Sequence, residues 1–392
     1  MHVAEKLTAN PRRIVTIWNT YGRYHMARVN ALKDLFPTSE IHCFSHCAEQ
    51  PDYLFFNFNP ANHLILVNRN ARDLTFWGSF YAAIRALFRV KPDLVLTCGY
   101  ERPESLAAVL YAWVTAAKTF LMLDNQFEDR PRHWLVETVK RTYMKFFQGF
   151  IYGGDTNRDY LRRLRVKADK EVHGYNCVDN DLIYSVAREL RKDSNRATIK
   201  SPYFLCVARL IPKKNLIRLL DAYEIYRASV AAGTQPWRLV LAGDGPLRDS
   251  LRDAIAKKRL EELVTMLGRI DDFKDIINLH TFAQAVMLVS HVNEQWGLVI
   301  NEAMAAGRPV IVSHQCGCAS SLVVNKGNGI VVDGFDDTSI AAAMTWMHAN
   351  EHLLDRMGER ARESVSRVSP YAFACNVELL YQRVRPSRSL SD

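Results

Sequence analysis

The chain has 392 residues, 48% of them hydrophobic and 24% charged, so bulk disorder is excluded and two domains of ordinary size are expected. Its net charge of +9 is not confined to a tail. No run approaches the ~20 apolar residues of a spanning helix, and the polar stretch 1–13 lacks the apolar core of a signal peptide, so neither is expected.

Short β-branched runs alternate with helical patterns from the first strand onward, the signature of βα units and a parallel sheet. In the first half the predicted strands are 13–18, 40–44, 63–67, 94–98, 119–123 and 150–153, and the predicted helices 23–35, 79–88, 103–117, 134–146 and 156–164. Positive charge gathers within 130–170: Arg130, Arg132, Lys140, Arg141, Lys145 and Arg158 are followed by Arg162, Arg163, Arg165, Lys167 and Lys170, against only four carboxylates. Peripheral contact with an anionic membrane is one expectation for that stretch, and solvated helix faces are the other. No nucleic-acid motif accompanies it, so nucleic acid is not an expected partner.

The polar stretch 179–200 reads as the domain boundary, giving a first domain over 1–185 and a second over 195–368. In the second half strands are predicted at 203–207, 238–242, 264–267, 285–288, 309–312 and 329–331. Helices are predicted at 216–229, 246–258, 273–282, 298–306, 337–349 and 351–365. A last amphipathic helix, 371–384, needs a surface for its apolar face, and packing back on the first domain would supply it. The eight scattered cysteines suit reduced thiols of a cytoplasmic protein, with Cys316 and Cys318 in a turn after a strand.

Three constellations could carry chemistry. Arg209 and Lys214 follow a strand and precede a helix, where a guanidinium fork and an ammonium suit a diphosphate. Gly243 and Gly245 also follow a strand, but Arg248 stands where a dinucleotide fingerprint needs a third glycine, so an NAD-dependent oxidoreductase is disfavoured. Pro246 reads there as the first residue of a helix. Glu294, Gly297, Leu298 and Glu302 lie in a loop and the helix after a buried strand, with Gly307 as that helix's C-terminal cap. Both carboxylates can accept from vicinal diols, and Glu302, one turn into the helix, is expected to aim into the same crevice as Glu294. No Asp-x-Asp ends a strand; Asp271-Asp272 and Asp336-Asp337 read as helix caps, and no metal is expected.

Arg209…Lys214, Gly243-x-Gly245 and Glu294-x7-Glu302 followed by Ala-Met-Ala-x-Gly-x-Pro-Val together resemble the C-terminal half of the retaining family-4 glycosyltransferases. That resemblance implies a GT-B fold, an α/β architecture of two Rossmann-like domains facing a cleft. It implies transfer of a sugar from a nucleotide-diphosphate donor to a sugar or lipid-linked acceptor, with retention and without a cofactor or metal. Arg209 and Lys214 would hold the diphosphate. Glu294, with the amides of Gly297 and Leu298, would bind sugar hydroxyls, Glu302 the ribose, and the backbone around Gly268, Arg269 and Ile270 the base. The first half departs from the pattern. A single Gly22 stands where relatives have a two-glycine loop and is expected to approach the donor phosphates, assisted by Arg23, and Asp124 occupies the place of a histidine facing the donor sugar; His25 and His133 read as structural. The rival readings are a sugar-nucleotide epimerase, a phosphorylase, and a non-catalytic scaffold on the same fold.

Overall fold

The computed structural model describes residues 10–49, 60–70, 75–129, 132–292 and 294–384; Arg130 and Asn293 lie outside them. The chain divides into two units. Residues 1–153, 157–177 and 369–392 form the first, and residues 154–156 and 178–368 the second.

The first unit opens with β1 (Arg13–Trp18), α1 (Arg23–Leu35), β2 (Glu40–Glu49), β3 (His63–Asn70) and α2 (Phe76–Val90). It continues through β4 (Leu94–Cys98), α3 (Pro103–Thr115), β5 (Lys118–Leu123), α4 (Trp134–Met144), β6 (Gly149–Tyr152), α5 (Asp155–Arg163) and β7 (Glu171–His173). The seven strands form one sheet in the order β3-β2-β1-β4-β5-β6-β7, and every pair is parallel. Alternate side chains of a strand serve opposite faces. On one face, Val15, Ile17 and Val95 pack with Ala83 and Leu87 of α2 and Ala107 and Ala108 of α3. Leu121, Leu123 and Phe150 continue that face against Met144 of α4 and Tyr160 of α5. Right-handed crossovers running towards β7 put α2 to α5 on this face and send α1, which runs the other way, to the opposite one.

The second unit holds α6 (Asn180–Arg191), β8 (Tyr203–Val207), α7 (Leu216–Ser229), β9 (Arg238–Ala242), α8 (Arg248–Lys257), β10 (Val264–Gly268) and α9 (Phe273–Phe282). After these come β11 (Ala285–Leu288), α10 (Leu298–Ala305), β12 (Val310–Ser313), α11 (Ala319–Leu322), β13 (Gly329–Val332), α12 (Asp337–Ala349) and α13 (Leu354–Ser366). Its six strands are all parallel, in the order β10-β9-β8-β11-β12-β13. The chain then returns as α14 (Pro370–Val384), which belongs to the first unit and packs on α1, β6 and β7. Phe373, Val377 and Leu380 of α14 are fully buried there.

The stretch 179–200, expected as a polar linker, begins with a helix of the second unit. Ile183, Ala187 and Leu190 of α6 recur at helical spacing and are buried against α9 and α10, while the opposite face carries the charge. Asp179 caps it by accepting from the Leu182 amide at 3.0 Å, and an Arg191 guanidinium donates to the carbonyl of Ala306 at the end of α10. Helix α8 starts at Arg248, not at Pro246. The Leu247 amide donates to the Leu210 carbonyl at 2.9 Å, which draws Pro246 and Leu247 into the preceding turn. Asp272 and Asp336 cap α9 and α12 as expected.

Candidate functional site

Open parallel sheets gather their loops beyond the carboxyl ends of the strands, and a crevice forms where the strand order reverses direction. In the second unit that reversal lies between β8 and β11, since the chain runs from β8 outward through β9 to β10 and then returns to β11. The loops leaving these two strands carry Lys214 and Glu294.

Residues Pro212–Lys214 form a single 3₁₀ turn, closed by Asn215 in the left-handed region at φ 60°. Asn215 tolerates that conformation because its side chain is held: Nδ2 donates to the carbonyls of Val289 at 3.1 Å and Gly334 at 2.7 Å. The Lys214 ammonium donates to Oε2 of Glu294, and the Ser290 hydroxyl donates to the same oxygen at 2.9 Å. Lys213 stands 3.8 Å from Oε1. Glu294 is buried, which alone would push its carboxyl up, but the ammonium groups of Lys214 and Lys213 outweigh burial and hold it below the usual carboxylate range. Its backbone is fixed by a bridge to Cys316 and by the Gly317 amide, 2.9 Å from the Glu294 carbonyl. The outcome is an ionised carboxylate beside two cations at the switch point.

Gly297 is the N-cap of α10 at φ 104°, and a Cβ there would stand 2.4 Å from Leu288 Cδ2, so glycine is required on both counts. Leu298 opens the helix, and Gly307 ends it at φ 72°. Glu302 lies one turn further in. The spacing alone aims it into the crevice with Glu294. In the structure it is buried, and its Oε2 lies 3.5 Å from Nε2 of the fully buried His280 on α9, because α10 is enclosed by other helices from Ile300 to Ala305.

Arg209 is exposed in the loop after β8. Beneath that loop, Gly243 (φ 141°) and Gly245 (φ 157°) allow close backbone approach. A Cβ on Gly243 would lie 1.9 Å from the Ala208 carbonyl oxygen, and one on Gly245 would lie 2.7 Å from that of Leu210. The two glycines therefore seat the Arg209 loop, with the Leu210 amide donating to the Asp244 carbonyl at 2.9 Å. Arg269 pairs with Asp271 at 2.6 Å, and Ile270 beside it is half-buried.

The remaining candidates belong to the first unit. Gly22 is the N-cap of α1 with extended backbone, and its amide donates to His25 Nδ1 at 3.0 Å. Asp124 follows β5, where Asn157 Nδ2 donates to its carbonyl at 2.7 Å. Sequence reasoning passed over the reversal of this sheet, between β1 and β4. There Arg102 donates to Asn19 Oδ1, and His46 pairs with the buried Glu104, whose Oε2 has no hydrogen-bond partner among the described residues. Asn19 follows β1, His46 lies late in β2, and Arg102 and Glu104 sit at the start of α3; they form no motif, and strand order brings them together. His133 is exposed at the start of α4 and stacks on Trp134.

The basic stretch is less uniform than its composition suggests. Arg132 and Lys140 turn inward to Tyr160, at 3.0 and 3.1 Å, and to Glu137, while Arg162 stands 3.7 Å from Glu171. Among the described residues no three His, Cys, Asp or Glu side chains gather to hold a metal ion, and no helix is long and apolar enough to cross a membrane.

Residues 187–364 match the family "Glycosyl transferases group 1". The chain is 28% identical over 210 residues to an alpha-D-kanosaminyltransferase of Streptomyces kanamyceticus, covering 53% of each. It is 31% identical over 204 residues to the N-acetyl-alpha-D-glucosaminyl L-malate synthase of Bacillus anthracis, covering 51% of this chain and 50% of that one. The match thus spans about half the length of these curated relatives. In fold the chain is similar to a glycosyltransferase from Rickettsia africae, with a TM-score of 0.73 at 15% identity over 96% of this chain and all of that one. It is also similar to Anabaena HepE solved with UDP-glucose, at 0.67 and 16% over 94% and 98%.

Proposed function

We propose that this chain, which carries a glycosyl transferases group 1 domain over residues 187–364, moves a sugar from a nucleotide-diphosphate donor to a hydroxyl acceptor with retention at the anomeric carbon. The observation that carries the reading is the Lys214–Glu294–Ser290 cluster at the strand-order reversal of the matched region. UDP-glucose in the HepE structure illustrates the donor class for a protein of similar fold.

Arg209 and Lys214 hold the diphosphate and neutralise the charge that builds on it as the bond to the anomeric carbon breaks. The acceptor oxygen attacks that carbon from the face the diphosphate leaves, and its proton passes to a departing phosphate oxygen. Glu294, kept ionised, accepts from donor-sugar hydroxyls, and amides at the start of α10 donate to them. Glu302 binds the ribose diol. The backbone near Arg269 and Ile270 borders the base. The first unit takes a sugar or lipid-linked acceptor. No step in this scheme calls on a metal or a cofactor. All eight cysteines carry thiols, which supports a reducing, cytoplasmic compartment.

The test is a donor-hydrolysis screen across UDP-, GDP-, ADP- and TDP-sugars, then acceptor trials with the best donor and assignment of the product anomer by NMR. One donor should be hydrolysed in preference and its anomeric configuration kept. Donor altered without acceptor would favour the epimerase, phosphate-dependent cleavage the phosphorylase, and no turnover with any donor the scaffold.

A further inference from the structure

The helices α2, α3 and α4 cover one face of the first unit's sheet; α2 and α3 each turn an apolar stripe towards it, and α4 turns Tyr143 and Met144. Each also carries a second stripe that points to solvent. On α2 this stripe is Trp77, Tyr81 and Phe88; on α3 it is Leu110, Trp113 and Val114; on α4 it is Leu135 and Val139, with Trp134 alongside. Such i, i+3, i+4 spacing normally marks the buried face of a helix. Here three tryptophans stay 71% (Trp77), 75% (Trp113) and 71% (Trp134) exposed. Single exposed apolar residues are ordinary, whereas aromatic stripes on three helices of one layer are not.

The charge on this layer points to the partner. The three helices contain two carboxylates, Glu104 and Glu137, and both are buried. Glu137 is moreover neutralised by Lys140 at 2.8 Å and Arg132 at 3.6 Å. Arg85, Arg89 and Lys145 are exposed beside the apolar stripes, and Arg141 is half-buried. A second copy of the chain would set these cations against their own images with no carboxylate to pair them. Anionic lipid removes that conflict: headgroups pair with the cations, while tryptophan and tyrosine rings sit at the headgroup–acyl boundary, apolar body inward and polar edge in the wet layer. No described helix can span a bilayer, so the contact is peripheral.

We infer that the outer face of α2, α3 and α4 is a docking surface for an anionic membrane, with Trp77, Trp113 and Trp134 as the inserting side chains. This moves the contact expected from the basic stretch 130–170 onto aromatic helix faces, since Arg132 and Lys140 of that stretch are held internally. It does not depend on the sugar-transfer reading.

The test is co-sedimentation of the full chain with vesicles of phosphatidylcholine alone or mixed equally with phosphatidylglycerol, alongside tryptophan fluorescence and sedimentation velocity. Binding should require phosphatidylglycerol, weaken with salt, and shift tryptophan emission to the blue. The variant Trp77→Ser/Trp113→Ser should bind at least about tenfold more weakly. Its far-ultraviolet circular dichroism should be unchanged, because neither ring packs in the core. Variant binding equal to the wild type would overturn the proposal. So would an absence of vesicle binding accompanied by a concentration-dependent dimer that the same variant abolishes.

Discussion

The Lys214 ammonium and the Ser290 hydroxyl meet on one oxygen of Glu294, so a side chain read as a diphosphate ligand and one read as a sugar ligand are already in contact. Removing the lysine should therefore have two separable effects. Lys214→Ala leaves a buried carboxylate with Ser290 and the more distant Lys213, costing about 1–3 kcal/mol of stability. It should also lower turnover by roughly 10²–10³, about 2.7–4 kcal/mol of transition-state stabilisation. Lys214→Ala/Glu294→Gln distinguishes the two, because the amide needs no counter-charge. Urea denaturation should show most of the stability restored and donor hydrolysis should show no recovery. Recovery of both would make Lys214 purely structural.

The glycines of the Arg209 loop give a second contrast. Gly243→Ala forces a methyl to within 1.9 Å of the Ala208 carbonyl oxygen at φ 141°. Neither backbone can yield without breaking the bond from the Ala208 amide to the Ala242 carbonyl, at 2.9 Å. The expected loss is at least about 2–4 kcal/mol, with a matching fall in Tm. Gly268→Ala has a positive φ of 72° but open space around the new methyl, so about 1 kcal/mol is expected. Equal melting temperatures for the two variants would contradict this account.

The contrast also shows where sequence reading succeeds. Long periodic segments such as α1, α7, α9 and α12 were legible because packing of an amphipathic face fixes them. Helix α6 is not, because its Ile183–Ala187–Leu190 stripe is three residues wide within a stretch dominated by charge such as Arg188 and Arg191. The three-residue edge strand β7 is too short to carry a period. At the site, the pairing of Lys214 with Glu294 follows from motif and strand order together. The His46–Glu104 and Arg102–Asn19 contacts depend on which strand ends the sheet order places side by side, and one-dimensional spacing does not encode that.

Glu302 offers a third test, since its buried carboxylate faces His280 at 3.5 Å. Glu302→Ala should weaken nucleotide binding in calorimetry if it holds the ribose diol, and it should also lower stability by about 1–3 kcal/mol by emptying a buried polar position. His280→Ala should lower stability in the same way while leaving nucleotide affinity nearly unchanged. If the two variants lose affinity equally, the ribose contact belongs elsewhere and the Glu302–His280 pair is a structural device.

Acid should destabilise the chain through its buried histidines, and the sign follows from where the protons go. Burial, aided by Arg28, lowers His25 to about 3, and burial with Arg102 lowers His46 to about 4. Unfolded histidine takes a proton near 6.5, so below that pH the unfolded chain binds more protons than the folded one. Stability is thus complete above about pH 6.5 and falls progressively as the pH drops towards 4 and then 3. At pH 5 the more deeply buried His25 costs roughly 2 kcal/mol, and His46, nearer to solvent, costs less. His63 and His348 are also shifted down by burial and add to the slope. Urea denaturation between pH 7 and 5 should show this decline, and His46→Gln should reduce its steepness by close to one proton. A variant slope equal to the wild type would show that His46 is protonated in the folded chain, with Glu104 holding the charged form rather than burial suppressing it.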